Sequence, residues 1–322
     1  MTDSDRIAAL EARLAAAEGR IAVLEGRLTY AGPIPGRSVD AADASTAAAR
    51  VAVDAVYREC QRHRQWSPPV KGGRLPRAFD PRVPHWSALK MGAAPITLPP
   101  QCDYARNLPT DLGMLLNDRI GDCAEAAYAH ALQIWSLNAG KPELTEPDSA
   151  VEALYETQGY RPGMPGPGPG TVLQSLLALL ARSPAVAGLP GLAAFIELDP
   201  TNDADIDRAI YECGLVYVGL NVPRYFQDWL DTGAVPQTWA CEPWGNGTIV
   251  GGHCVIAVGY GDTRRRAVSW GSTDYWMTHS FWARYVEECY ALVSLEWIEA
   301  TGRTPLGLTV AQLTQQMEAI KA

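Results

Sequence analysis

Asn117-Asp118-Arg119-Ile120-Gly121-Asp122-Cys123 ends on a thiol at the start of a predicted helix. From Cys123 onward, Ala126, Ala127, His130, Ala131 and Ile134 recur at spacings of three and four, the period of one helical face. A cysteine in the first turn of a helix lies at the positive end of the helix dipole, which favours thiolate over thiol. Far along the chain, Gly251-Gly252-His253-Cys254-Val255 opens a predicted strand, and Ser269-Trp270-Gly271 follows on the next one. A thiol and an imidazole are the minimum equipment for cysteine nucleophile chemistry, so Cys123 and His253 are the first candidate site residues. His130 shares the helical face of Cys123 and is expected in the core or at the surface rather than as a second base.

The segments around this pair have a definite order. Helices are expected over 148–158, Thr171–Arg182 and Asp203–Cys213, the last capped in the Asn202–Asp205 region. Leu215–Leu220, Cys254–Tyr260, Arg266–Trp270 and Tyr290–Ser294 are rich in β-branched and aromatic residues and read as strands. A helix is expected over 278–288 and another over 309–320. Between the early helices, Gly159–Gly170 (GYRPGMPGPGPG) is a proline- and glycine-rich loop, read as surface loop, with a place beside a cleft as the other reading. Helices first and strands later predict an α+β fold rather than an alternating parallel sheet.

This order resembles the papain-like cysteine peptidase fold over roughly residues 105–300. In that family a helical half carries the nucleophile at the start of its central helix, and an antiparallel β half carries the histidine. Gly121-Asp122-Cys123-Ala124 resembles the nucleophile turn, and Gly252-His253-Cys254-Val255 followed by Val258-Gly259-Tyr260-Gly261 resembles the histidine strand. Gly214 resembles the passage from helix into sheet and reads equally as a helix C-cap. The resemblance implies a hydrolase in which Cys123 attacks and His253 acts as base. Asn117 stands where the family has a glutamine that donates to the oxyanion. The family also places an asparagine two residues before the tryptophan, where it orients the imidazole. That position is Val268 here, which offers no acceptor, and Ser269 is expected to point to the opposite face of the strand. The usual orienting amide is therefore expected to be missing, its role left to a backbone carbonyl, a water or a residue such as Asp262, and Asp122 is expected to oppose thiolate formation by its charge.

The N-terminus carries a heptad. Ile7, Leu14, Ile21 and Leu28 fall at a, with Leu10, Ala17 and Leu24 at d. Arg6, Arg13 and Arg20 at g face Glu11, Glu18 and Glu25 at e in a parallel coil, opposite in sign each time. Residues 1–30 are thus expected to form a coiled-coil oligomerisation helix, dimer or trimer. Residues 31–104 are expected to hold a linker, an Ala-rich helix over 40–63 and an extended Pro-rich arm from 67 to 109. Residues 105–322 are expected to form the papain-like domain.

The seven cysteines are odd in number and irregularly spaced, which argues against a disulfide framework. No C-x-x-C pair occurs and histidine is sparse, so neither a metal nor another cofactor is expected. The net charge of -9 excludes nucleic acid and anionic membrane surfaces as main partners. With no apolar signal core and no long apolar run, synthesis in the cytoplasm without a signal peptide is expected.

Two functions follow. One is cleavage of a peptide or amide bond, with cell-wall cross-peptides among the substrates. The other is an oligomeric virion decoration or attachment protein that keeps the fold with reduced catalysis. It is motivated by the coil and by a similarity of the Asn117–Cys123 pattern to proteins of bacteriophages of actinobacteria.

Overall fold

The computed structural model describes residues 73–242 and 245–321. The expected coil over 1–30 and the Ala-rich helix over 40–63 lie outside the described residues. Pro69–Gln227 and Gln237–Ala322 form one compact unit. Of the second unit, Asp228–Pro236 is described; it completes helix α6 (Arg224–Thr232) and a turn in which the Gly233 N–H donates to the Leu230 carbonyl.

Helices precede most of the strands, as expected for an α+β chain. They are α1 (Trp86–Lys90), α2 (Cys123–Asn138), α3 (Asp148–Glu156), α4 (Leu173–Arg182) and α5 (Asp203–Cys213). After α6 come α7 (His279–Tyr285), α8 (Leu295–Thr301), α9 (Val310–Gln316) and α10 (Glu318–Lys321). Besides a two-stranded hairpin (Ala185–Val186 with Leu189–Pro190), the strands are β1 (Cys102–Asp103), β2 (Ala194–Leu198), β3 (Val216–Pro223), β4 (Thr238–Trp239), β5 (Ile249–Tyr260), β6 (Arg264–Ser269), β7 (Ser272–Thr278) and β8 (Val286–Val293). They form one eight-stranded sheet in the order β2-β8-β3-β5-β6-β7-β4, with β1 also pairing β5. All pairs are antiparallel except β4 with β7. The strands β2 and β7 go beyond the sequence reading. The first is short and wholly buried, and the second mixes Ser and Asp into its alternation, so neither carries a strong local signal.

Helix α2 is the centre of the helical half. Its residues from Cys123 through Ser136 are all buried, the state of a helix enclosed on every side. Alanines at 124, 126, 127, 129 and 131 suit the position: they favour helix and let the backbone approach its neighbours closely. The larger apolar side chains supply the burial energy, about 1.5–3 kcal/mol for a residue such as Ile134. Trp135 Nε1 donates to the Cys213 carbonyl at 2.8 Å, and the Tyr217 hydroxyl of β3 donates to the Ala124 carbonyl. These bonds tie α2 to α5 and to the sheet. Asn202 caps α5 by accepting from the Asp205 N–H, and Gly214 ends it in the left-handed region at φ 84°. There a Cβ would approach the Trp297 ring at 3.1 Å. The helix thus turns directly into β3, which pairs with β5 and brings Leu220 opposite His253.

Candidate active site

Three walls meet at Cys123. The first is the turn into α2. Leu115 and Leu116 both have positive φ (53° and 70°), an uncommon conformation for such side chains, and Asn117 follows directly. Asn117 Nδ2 donates to Asp122 Oδ1 at 3.0 Å, with both residues buried. Asp122 caps the helix by position only, since its side chain makes no capping bond. Burial, then the neighbouring Glu125, holds the Asp122 carboxyl well above its usual range, which opposes the charge expected from sequence. Glu125 accepts from the Thr171 hydroxyl at 2.7 Å, and burial raises its pKa to about 7. Asp122 Oδ2 and Glu125 Oε2 have no hydrogen-bond partner among the described residues.

The second wall is the sheet. Helix α2 packs against β5, the strand of His253, and the Cys254 amide, one residue past His253, favours the thiolate of Cys123. The His253 ring stacks on Trp270 with centroids 4.6 Å apart and 15° between planes. Behind it, Trp270 packs against Trp239, Phe226 and Tyr275. The expectation that Ser269 points to the opposite face is corrected: His253 Nε2 is 2.8 Å from Ser269 Oγ, which takes the place left to a carbonyl, a water or Asp262.

Strand register explains the correction. Ile256 pairs with Val268 and Ala257 with Ala267, which places Val268 on the face away from His253 and Ser269 on the same face as the imidazole. Trp270 and Gly271 both have positive φ (48° and 74°) and form the two-residue turn between β6 and β7, the pattern of a type I′ hairpin. The tryptophan therefore belongs to the turn and not to the strand, so counting two residues back from it lands on the wrong face. Gly271 is required there, because a Cβ would stand 2.4 Å from the Gly113 carbonyl oxygen.

The third wall is the loop 159–170, which is more than a surface connection. The Gly121 N–H donates to the Pro167 carbonyl at 2.7 Å, and the Tyr155 hydroxyl binds the same carbonyl at 3.2 Å. Tyr155 also accepts from the Gly170 N–H at 2.8 Å and stacks on Tyr160. Five glycines of this loop have positive φ, which accounts for its composition. The loop positions Thr171 beside Glu125.

A strap formed by Gly73, Arg74 and Leu75 runs between the loop and the sheet. Arg74 N–H donates to the Gly252 carbonyl at 3.3 Å, Thr171 N–H to the Gly73 carbonyl at 2.6 Å, and Leu75 N–H to the Thr171 carbonyl at 2.9 Å. The Gly73 amide also favours the Cys123 thiolate, a smaller effect than that of the Cys254 amide. The passage admits no side chain: a Cβ on Gly73 would lie 1.5 Å from the Gly121 oxygen, and one on Gly170 would lie 2.4 Å from the Gly73 oxygen. The part of the Pro-rich arm at 73–75 thus lies over the turn into α2, where Cys123 is buried. Under this cover, burial pushes the Cys123 thiol up to about 12 and the His253 imidazole down to about 3. Both are neutral in this state.

His130 is a core residue: it is buried, its Nδ1 lies 2.8 Å from Gln133 Oε1, and burial lowers its pKa to about 4. Glu125, Thr171 and residues 73–75 of the arm were not singled out from sequence, whereas Ser269 was named but assigned to the opposite face. Only the glycines flanking them gave any signal.

No protein-family model matches the sequence, and no curated protein matches it either. Among solved structures the chain is similar to xylellain, a cysteine protease from Xylella fastidiosa. The TM-score is 0.53 at 16% identity, covering 70% of this chain and 98% of that one. Two others are a structure from work on the mite allergens Blo t 1 and Der p 1 (TM-score 0.44, 14% identity, 71% and 81% covered) and a Carica candamarcensis cysteine protease (0.42, 15%, 61% and 99%). The described chain has the papain-like α+β fold.

Proposed function

We propose that this chain is a papain-like cysteine hydrolase acting on a peptide or amide bond, held closed by the strap at Gly73–Leu75. The observation that carries the reading is the Cys123 sulfur at a helix start, against the strand of an imidazole that already has its orienting partner in Ser269. When the strap leaves, water reaches the thiol and the imidazole, and the burial that separates their pKa values is relieved. His253 then takes the Cys123 proton, and the thiolate attacks the carbonyl carbon. The oxyanion is met by the Cys123 N–H and by the second N–H of Asn117 Nδ2, whose first is directed to Asp122. Collapse expels the amine, which takes the proton from His253, and leaves a thioester on Cys123. Water, deprotonated by His253, hydrolyses it to the acid and restores the thiol.

Unlike an amide oxygen, the Ser269 hydroxyl both donates and accepts, so it serves His253 in either tautomer. The test is chemical. An electrophilic cysteine probe at neutral pH labels Cys123 far faster than Cys213 or Cys254 once the strap is displaced, and His253→Ala removes the difference. Equal slow labelling of all thiols in the displaced state overturns the reading.

A second reading is a binding module, an oligomeric virion decoration or attachment protein joined through the N-terminal coil as dimer or trimer. It is favoured by the neutral, dry state of Cys123 and His253 under the strap. A reactive thiol after displacement excludes it, and a monomeric mass for the full chain removes the oligomer.

A further inference from the structure

The strap is held by its backbone, but one side chain leaves it and enters the sheet wall. Arg74 Nε donates to Glu288 Oε1 at 2.7 Å, and Nη2 pairs with Glu287 Oε2. Nη1 reaches Asn221 Oδ1 at 3.2 Å and the Leu220 carbonyl at 3.4 Å. The Arg74 and Glu288 side chains are 1% and 0% exposed, and Glu287 is at the rim with 37%.

Three features build this pocket around a planar cation. Adjacent residues of a strand normally point to opposite faces, yet Glu287 and Glu288 both reach one guanidinium. A β-bulge allows it: Val286 pairs with Leu220 and Glu288 with Gly219, so Glu287 is an extra residue opposite no partner. Gly219 leaves the space the guanidinium needs, because a Cβ there would lie 2.6 Å from both Arg74 Nε and Glu288 Cγ. The Tyr290 hydroxyl donates to Glu288 Oε2 at 2.6 Å, which directs the other carboxylate oxygen to Arg74. A fork of fixed N–H donors matches four acceptors in these directions, whereas an ammonium presents a point charge.

We infer that this pocket is an arginine-selective subsite of the cleft, and that Arg74 holds it in the closed chain as a substrate arginine does in the open one. This rests on the hydrolase reading for its biological use but not for its test. A peptide arginine fits because Arg74 is itself presented by a strand segment hydrogen-bonded to Gly252, next to His253 in sequence, and paired with Thr171, whose hydroxyl donates to Glu125 of the helix that starts at Cys123. The bound substrate is therefore a peptide with an arginine close to the bond cleaved.

The test uses the full chain carrying Gly73→Leu, Arg74→Ala and Cys123→Ala. The first change expels the strap, the second empties the pocket and the third prevents cleavage. Titration calorimetry compares acetyl-Gly-Arg-Leu-amide with the same peptide containing lysine or citrulline. The arginine peptide is expected to bind roughly tenfold or more tighter than the lysine peptide, and citrulline weakest. Adding Glu288→Gln removes the preference. Equal binding of the three peptides, or no binding of any by a chain whose circular dichroism matches the parent, overturns the inference.

A second measurement needs only Arg74→Ala. Millimolar methylguanidinium raises the Tm of this variant more than methylammonium does, and does not raise that of the parent; no difference between the two cations overturns the inference. Because the binding protein lacks the nucleophile, absent turnover in the chain with Cys123 sinks the hydrolase reading alone. Binding without arginine preference sinks the subsite alone.

Discussion

The helix wall and the sheet wall of the cleft are equally dry and differently finished. On the sheet wall, His253 has a hydroxyl at Nε2 and an indole face beneath it, and it is supported by an aromatic cluster. On the helix wall, Asp122 and Glu125, which flank Cys123 in sequence, each hold an oxygen with no partner among the described residues. The sheet wall is preorganised and costs little to keep. The helix wall stores unfavourable polar burial, a cost that hydration would relieve. The strap lies against this wall, where a Cβ on Gly73 would stand 1.5 Å from the Gly121 oxygen.

The sharpest way to break this contrast is to remove the finished wall. In a chain opened by Gly73→Leu, His253→Ala is expected to slow labelling of Cys123 by an electrophilic probe by roughly 10²–10⁴-fold at pH 7, the range of general-base assistance. An unchanged rate would show that the imidazole does not serve the thiol.

Next in size is the strap itself. Gly73→Leu alone is expected to speed Cys123 labelling about a hundredfold or more over the parent, because the thiol returns from about 12 towards its ordinary range. Labelling as slow as in the parent, with Arg74 still protected, would show that the strap does not cover the sulfur.

The helix wall is tested through pH. Glu125 stays protonated in the folded chain up to about 7, while the unfolded chain ionises it above about 4.5. The unfolded state therefore binds fewer protons, and stability falls as pH rises through that window, by about 3 kcal/mol in total. Asp122 acts in the same direction. His130 and His253 act oppositely: both stay neutral in the folded chain down to about 4 and 3, so stability falls as pH drops below 6.5. The acids and histidines offset one another between about pH 4.5 and 6.5, and the carboxyls are unopposed just above it. Chemical denaturation across pH 5–8 should show stability declining above about 6.5, and Glu125→Gln should flatten the decline. A variant with the parent's profile would place Glu125 in water rather than in the dry wall.

The smallest effect is expected at Ser269. Ser269→Ala should lower kcat, or the Cys123 labelling rate, by about tenfold in the opened chain, since the imidazole stays on Trp270 and loses one hydrogen bond. A conservative Ser269→Thr should restore most of the rate and the pH profile. Full activity in Ser269→Ala would show that stacking alone orients the ring.

Much of this site was legible in the chain. The helical period after Cys123 and the cap at Asn202 are local signals, and α2 and α5 begin where those signals place them. The strand around His253 was equally plain from its run of β-branched residues. Ser269 was misread because a face assignment needs the register of two strands, and Val268 is adjacent in sequence to either answer. The strap was unreadable for a related reason: its fit depends on Gly73, Gly121, Gly170 and Gly252 meeting from four separate segments. Each glycine alone looks like an ordinary turn residue.

By itself, then, the sequence determined the order of helices and strands, the thiol at a helix start and the imidazole on a strand, because propensity and periodicity act over a few residues. Tertiary structure decided which side chain meets His253, that burial raises the Asp122 and Glu125 carboxyls, and that Arg74 enters a glutamate pocket. Those outcomes depend on register, a single bulge at Glu287 and exclusion of water, which arise only when distant segments pack together.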